Sequence, residues 1–583
     1  MDGGTRTCLE ALEMNWFPAR EWLKGYSKPT FTADFIAAVI VTIMLIPQSL
    51  AYAMLAGVPP EVGLYASVLP LVAYALFGTS RTLSVGPVAV VSLMTATSVG
   101  SAVATTGADY QHAAIILALL SGLFLVAMGV LRFGFLANFL SHPVVSGFIS
   151  ASGIIIALSQ VRHILGVSAH GETVPSISQT LLAHLGDTNL PTVGIGLFAL
   201  VFLFWCRTKL TSVLTDAGVS RELASTLTKT APVLAIIMTI AMTVMFDLES
   251  KGVAIVGAIP SGLPSLSLPS IAWPLVKELL PAAVLISIIG YVESISVGRT
   301  LGAKRRQRVQ ADQELIGLGA ANLASSLSSG FPVTGGFSRS VVNFDAGAQT
   351  PAASIMTAFG IALAALFLTP VLYFLPKATL AATIIVAVLS LVDLGLVKRA
   401  WAYSRRDALA LLGTIGITLF AGVELGIVTG VGLSIFLHLY HTSKPHTAIV
   451  GEVPGTQHFR NVDRHQVITD PAICSLRIDE SLYFPNASYL EDVVYGVISK
   501  NPQIKHIVLM CSAVNVIDMS ALEALEMINQ RLKELGVKLH LSEVKGPVMD
   551  GLKKCHFLDE LTGHIYLSQH DAFTELKAQV TAG

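Results

Sequence analysis

The chain has 583 residues, 53% of them hydrophobic and only 13% charged, with a mean hydropathy of +0.68. Soluble globular chains average about 25% charged residues, so this is an integral membrane protein, and a formal net charge of −1 excludes a global pull toward nucleic acid. The five cysteines are odd in number and lack ligand spacing, which excludes a disulfide framework and structural zinc.

Residues 1–32 do not read as a signal peptide. Arg6, Arg20, Lys24 and Lys28 surround Trp16 and Trp22, the pattern of a cytoplasmic segment lying at the membrane interface. Crossing the hydrocarbon takes ~20 apolar residues. Spans are expected near 34–56, 62–78, 112–131, 143–161, 190–206, 231–246, 281–301, 313–328, 352–374, 378–392, 408–422 and 424–440. Two further apolar pieces, 87–100 and 335–345, are too short to cross, and with them the count is fourteen. The basic residues agree with fourteen segments and an inside N-terminus. Arg81, Arg132, Arg207, Lys209, the cluster from Lys304 to Arg308, and Lys398, Arg399, Arg405 and Arg406 all fall on one side. The connection over 164–189, on the other side, has neither Lys nor Arg, as the positive-inside bias requires.

The transmembrane part is expected over 33–441 and a soluble part over 447–583, where 29 of the chain's 75 charged residues (37 basic, 38 acidic) are found. Strands over 472–478, 504–510 and 537–542 alternate with helices over 486–499 and 520–535, an α/β arrangement with a small open sheet.

The two short membrane pieces resemble each other. One opens Ser84-Val85-Gly86-Pro87-Val88 and the other Ser329-Gly330-Phe331-Pro332-Val333, and each is third in a set of seven. Seven segments per half is an odd number, so the halves enter the membrane from opposite sides, which is an inverted repeat. Paired Gly/Pro-interrupted segments at corresponding positions point to a transporter's binding site. Their helix N-termini would offer unpaired N–H groups and partial positive charge to an anion.

Arg339 lies about one turn into the second piece, beside Ser338. A charge at this depth costs about 2.5–3.5 kcal/mol on insertion scales. A fixed guanidinium suits paired oxygens of a carboxylate, sulfate or bicarbonate; the alternative is an Arg that only pairs with a neighbouring acid. That neighbour is expected to be Glu293, within the eighth span. Its carboxylate would neutralise Arg339, carry a co-transported proton, ligate sodium, or serve only as a structural counter-ion. Gln48 and Tyr52 are four apart beside Pro47, so they share a helix face and either point into one cavity or cap backbone groups freed by the proline. No P-loop, dinucleotide fingerprint or metalloprotease motif is present, so ATP-driven pumping and enzyme chemistry have no seat.

The run Pro60-Glu-Val-Gly-Leu-Tyr-Ala-Ser67, continuing to Tyr74 and Gly78-Thr-Ser-Arg81, resembles the signature of the SulP family of anion transporters, the sulfate permeases akin to solute carrier 26 proteins. Val62 replaces the usual tyrosine and Ala73 is slightly off pattern. The stretch from Phe337 to Ser340 and on to Asn343, Gly86-Pro87, the Glu293 region and Val423-Glu-Leu-Gly426 also match. The resemblance runs from about residue 15 to the end. It implies a 7+7 inverted repeat with core and gate domains and two half-helices, a homodimer, elevator-like movement, and a C-terminal STAS domain. It further implies that Gln48, Tyr52, Pro87, Val88, Ala89, Phe337, Ser338 and Arg339 hold the anion and that Glu293 couples a cation. Gly336 stands where sulfate-transporting members often carry serine. Ser520, just ahead of a helix, matches the phosphorylated serine of soluble STAS proteins, and would equally serve as an N-cap.

The expected function is secondary-active transport of a small oxyanion, sulfate first, by proton symport. Sodium-coupled bicarbonate transport, proton-coupled C4-dicarboxylate transport and a non-transporting STAS-linked sensor are the alternatives. A nucleobase permease would lack the positive charge at the half-helix tip. No cofactor is expected beyond co-transported H+ or Na+, and the partners are the anion, the lipid bilayer, a second copy and regulatory proteins at the STAS domain. The expected place is the cell membrane (a bacterial inner membrane), with the N-terminus and STAS domain cytoplasmic.

Overall fold

The computed structural model describes residues 17–139, 141–220, 224, 227–228, 230–258 and 262–582. Arg6, Cys8 and Trp16 lie outside the described residues. Cα packing divides the chain between Ser434 and Ile435.

In the first unit, long apolar runs become helices because a bilayer leaves the backbone no other hydrogen-bond partner. The first half holds α1 (Lys28–Leu55), α2 (Pro60–Tyr65), α3 (Leu69–Phe77), strand β1 (Val85–Gly86), α4 (Ala89–Thr106), α5 (Tyr110–Val130), α6 (His142–Leu165), α7 (Leu190–Trp205) and α8 (Ala231–Met245). The second holds α9 (Trp273–Lys304), α10 (Ala311–Leu327), β2 (Thr334–Gly335), α11 (Phe337–Asp345), α12 (Ala352–Phe367), α13 (Lys377–Leu389), α14 (Arg405–Ala421) and α15 (Val423–Thr442). Each of the fourteen expected segments coincides with a helix or, for α2 and α3, a helix pair. One expectation needs correction. The piece expected over 87–100 is an 18-residue helix, α4, long and apolar enough to cross, and it ends where Gly107 turns left-handed at φ 69°. Trp22 is buried against Ala19 and Ala352.

The helices segregate into two packed groups. In one, α10 lies against α5 and α3, α9 against α5 and α4, and α12 against α1; in the other, α6 lies against α7, α13 and α14. One close crossing in the first group is a glycine pair. A Cβ on Gly122 would sit 3.0 Å from the Gly319 carbonyl, and one on Gly319 would sit 2.9 Å from that of Gly122. Small residues let membrane helices approach closely where no hydrophobic force draws them together.

The two halves meet in a ribbon. β1 and β2 pair antiparallel, Val85 with Gly335 and Gly86 with Thr334, immediately before α4 and α11 begin. Extended backbone at membrane depth must be satisfied by protein, and side chains do this. Asn322 on α10 donates to Val333 O at 2.8 Å and accepts from Val333 N at 2.9 Å. Ser294 on α9 accepts from Gly335 N at 2.9 Å, and Ser340 on α11 accepts from Ser84 N at 3.0 Å.

The second unit is a six-stranded sheet in the order β4-β3-β5-β6-β7-β8. Its strands are β3 (Thr447–Glu452), β4 (Phe459–Asn461), β5 (Ile473–Ile478), β6 (His506–Met510), β7 (Lys538–Ser542) and β8 (Ile565–Tyr566). β5 to β8 run parallel, while β3 is antiparallel to both neighbours. Period-two alternation sends Cys474, Leu476, Ile507, Leu509, Leu539 and Leu541 toward α16 (Ala487–Lys500) and α17 (Met519–Glu534). Ile473 and Val508 face the other way, toward Phe573 and Leu576 of α18 (Gln569–Ala582). The N-cap of α17 is Asp518, which accepts from Ala521 N at 2.9 Å. Ser520 is therefore not the cap; it is an exposed residue of the first turn.

Three histidines cross this sheet. His564 N donates to His540 Nδ1 at 2.9 Å, so His540 carries its proton on Nε2 and presents it to His506 Nδ1 at 3.1 Å. Burial, together with His506, His564 and Lys538, pushes His540 down from 6.5 to about 3. Below pH 6.5 the unfolded chain takes up a proton that the folded domain refuses, so stability falls with pH. From pH 7 to 5 this histidine alone should remove about 2 kcal/mol. Hydrogen exchange of the β6 and β7 amides in the full chain should accelerate accordingly, and His540→Leu should flatten the dependence.

Candidate anion-binding site

The site is built on two helix ends that no side chain caps. Val88 before α4 and Gly336 before α11 are both extended, and neither helix start receives a side-chain hydrogen bond. The first intrahelical bonds run from Ser92 N to Val88 O and from Ser340 N to Gly336 O. The amides of the preceding turn residues therefore have no partner within their own helices, and with the helix dipoles they make a positive pole.

Arg339 adds a full charge there. Its side chain is only 2% exposed. One nitrogen, Nη2, donates to Thr334 O at 3.3 Å, while Nη1 is buried without a hydrogen-bond partner. Two glycines make room for the guanidinium. A Cβ on Gly86 would fall 2.6 Å from Nη1, and one on Gly336 would fall 3.0 Å from Nε and 3.0 Å from Val88 Cγ1. A serine at 336 would crowd the guanidinium, so the glycine has a steric reason in this chain.

The expected residues divide by place. Gln48, Phe337 and Ser338 line one cavity of ≈ 410 Å³. Tyr52, Glu293 and Arg339 are close enough to feel one another's charge. Glu293 is half-buried on α9 and borders a cavity of ≈ 10 Å³ with Val90, Phe148 and Ile427. The hydrogen bond of Arg339 goes to backbone, not to Glu293. Pro87, Val88 and Ala89 are buried in the turn that starts α4. Ser520 belongs to the other unit.

Several residues have structural roles that the sequence reading did not assign. Glu314 on α10 is fully buried and accepts four hydrogen bonds: from Tyr74 Oη at 2.6 Å, Thr79 N at 2.7 Å, Thr79 Oγ1 at 2.6 Å and Ser80 N at 3.0 Å. The Gly78-Thr-Ser turn thus exists to meet a carboxylate from the other half. Asp34 on α1, also fully buried, accepts from Gln349 N at 2.7 Å, Thr350 N at 3.1 Å and Thr350 Oγ1 at 2.5 Å. Ser340 and Asn343 do not face the cavity; they hold α11 to Ser84 and Thr82. Glu424 accepts from Ser98 Oγ at 2.8 Å, joining α15 to α4. The available signal was the polar spacing on otherwise apolar helices.

Comparison with known proteins places this geometry. Residues 31–414 match the sulfate permease family and residues 464–572 the STAS domain. The chain belongs to the sulfate permease family. It is a family of transporters and not of enzymes, and this member is a multi-pass membrane protein. Sulfate transporter 4.1, chloroplastic, of Arabidopsis thaliana is 37% identical over 539 residues, covering 90% of this chain and 77% of that protein. High affinity sulfate transporter 1 of Stylosanthes hamata is 32% identical, covering 95% and 85%. Among solved structures, SLC26A9 superposes with a TM-score of 0.88 at 23% identity, covering 99% of this chain and 95% of that one. The transmembrane domain of the cyanobacterial bicarbonate transporter BicA gives 0.59 at 22% identity, covering 70% and 98%. These structures establish the 7+7 inverted-repeat fold.

Proposed function

We propose that this sulfate permease family member imports sulfate by proton symport, moving its core helices against its gate helices in an elevator-like cycle. One observation carries the anion assignment: a buried guanidinium nitrogen without a partner, set where two uncapped helix N-termini converge. Such a site satisfies paired anionic oxygens. Sulfate is favoured over bicarbonate and dicarboxylates because the relatives aligned over nine-tenths of this chain are named as sulfate transporters. In this reading Gln48, Ser338 and the Pro87 to Ala89 turn complete the anion's shell, and Glu293 carries the proton. The transmembrane domain spans 33–441 of a cell-membrane homodimer, with the STAS domain at 447–583 facing the cytoplasm and open to regulatory partners.

The test is uptake of labelled sulfate, bicarbonate and succinate into proteoliposomes under imposed proton or sodium gradients. Sulfate should accumulate only with a proton gradient. Glu293→Gln should abolish accumulation against a gradient while leaving sulfate binding within about threefold of wild type. A mutant that still concentrates sulfate as wild type does would remove Glu293 from coupling.

A further inference from the structure

We propose that Arg207 is a second anion-binding residue, which receives sulfate at the mouth of the cavity as it leaves or approaches Arg339. This rests on the reading of the cavity as the substrate path. Arg207 borders the same ≈ 410 Å³ cavity as Gln48, Phe337 and Ser338, and it is the only charged residue bordering it among the described residues. The start of α11 borders that cavity through Phe337 and Ser338. Gln48 and Ser338 line it with no carboxylate among the described residues, while the hydroxyls of Thr228, Thr383 and Ser390 donate to carbonyls of their own helices. An anion in this cavity therefore meets one guanidinium and no opposing carboxylate among the described residues.

The local backbone explains how Arg207 reaches this position. Helix α7 does not simply end at Trp205; it runs into a π-helical turn over Cys206–Leu210 before continuing as Thr211–Asp216. A π-turn inserts one residue into the helical register and re-aims the side chains after it, and such turns collect at functional sites. Cys206 stays buried in the helix packing while Arg207 is exposed. Its Nη1 donates to Val386 O at 2.8 Å, near the C-terminal end of α13, which steadies the side chain beside the cavity. A guanidinium has five N–H donors, so one bond to a carbonyl leaves its fork free for a sulfate edge. Lys209, on the same turn, does not border the cavity.

The experiment uses the full chain and sulfate itself. Arg207→Gln should weaken sulfate binding roughly two- to fivefold, the range of an exposed charge pair, and should make affinity less sensitive to ionic strength. Arg207→Lys should retain most of the affinity and the wild-type salt dependence although its tie to Val386 is altered. In the wild-type protein, sulfate should slow modification of Arg207 by phenylglyoxal, read by peptide mass spectrometry, which needs no variant to fold. Wild-type affinity and salt dependence in Arg207→Gln, or no protection by sulfate, would overturn the proposal and leave Arg207 as a tie to α13. Arg339→Lys is measured alongside. If it too binds sulfate normally, the anion-site reading itself fails; if it alone weakens binding, only the role of Arg207 fails.

Discussion

Arg339→Lys should bind sulfate about tenfold more weakly, and Arg339→Ala up to about a hundredfold, with both proteins still folded. A hydrogen bond to a charged group is worth roughly 1.5–3 kcal/mol, which sets this range. Lysine keeps the charge but replaces a planar fork with a point charge that cannot present two parallel donors. The fold should tolerate the change because the single bond of the guanidinium is a long one to Thr334 O. The competing view makes Arg339 a structural partner of Glu293. It predicts that Arg339→Ala aggregates and that adding Glu293→Gln restores expression and affinity together. Monodispersity in detergent and sulfate binding on the three proteins separate the two, and full affinity in the double mutant would end the anion-site assignment.

Glu314→Ala should be the most damaging change away from the cavity. It strands Tyr74 Oη, Thr79 N, Thr79 Oγ1 and Ser80 N without their acceptor. Each buried group left unsatisfied costs about 1–3 kcal/mol. Breaking a buried charge-assisted network typically costs about 3–5 kcal/mol in all, enough to lose the folded protein from the membrane fraction. Glu314→Gln keeps one acceptor oxygen for the turn and gives up only the bond from Tyr74, so it should express and bind sulfate normally. Thermal unfolding in detergent checks the order, and an alanine variant as stable as wild type would contradict it.

The membrane architecture was legible because a bilayer admits so few solutions. Twenty apolar residues must be a helix, and lysines and arginines mark the loops. The pair of helix starts at the site was legible for a related reason, since Gly86-Pro87 and Gly330 to Pro332 each break an apolar run shortly before a helix begins. Arg339 stood out as a charge with no local excuse. What stayed hidden depended on contacts between distant segments. Strands of two residues have no periodicity, so the β1–β2 ribbon left no pattern to read. Glu314, in the first turn of α10, looks like any acid at a helix N-terminus until the turn at Thr79 is seen against it. Arg207 passed as a topology charge, because a π-turn has no compositional mark. Ser520 gave way as a cap to Asp518, two residues earlier, whose side chain reaches the Ala521 amide.

The ribbon between the halves also imposes an order of events during synthesis. Ser84 and its partner Ser340 are 256 residues apart, and ribosomes add roughly 5–20 residues per second. For roughly 10–50 s after α4 has been made, its start has no strand to pair with and Glu314 has not arrived to receive the Thr79 turn. The nascent first half is thus an incomplete object whose binding pole cannot be assembled early. The binding pole can close only once α11 has been made, with α12 to α15 still to follow.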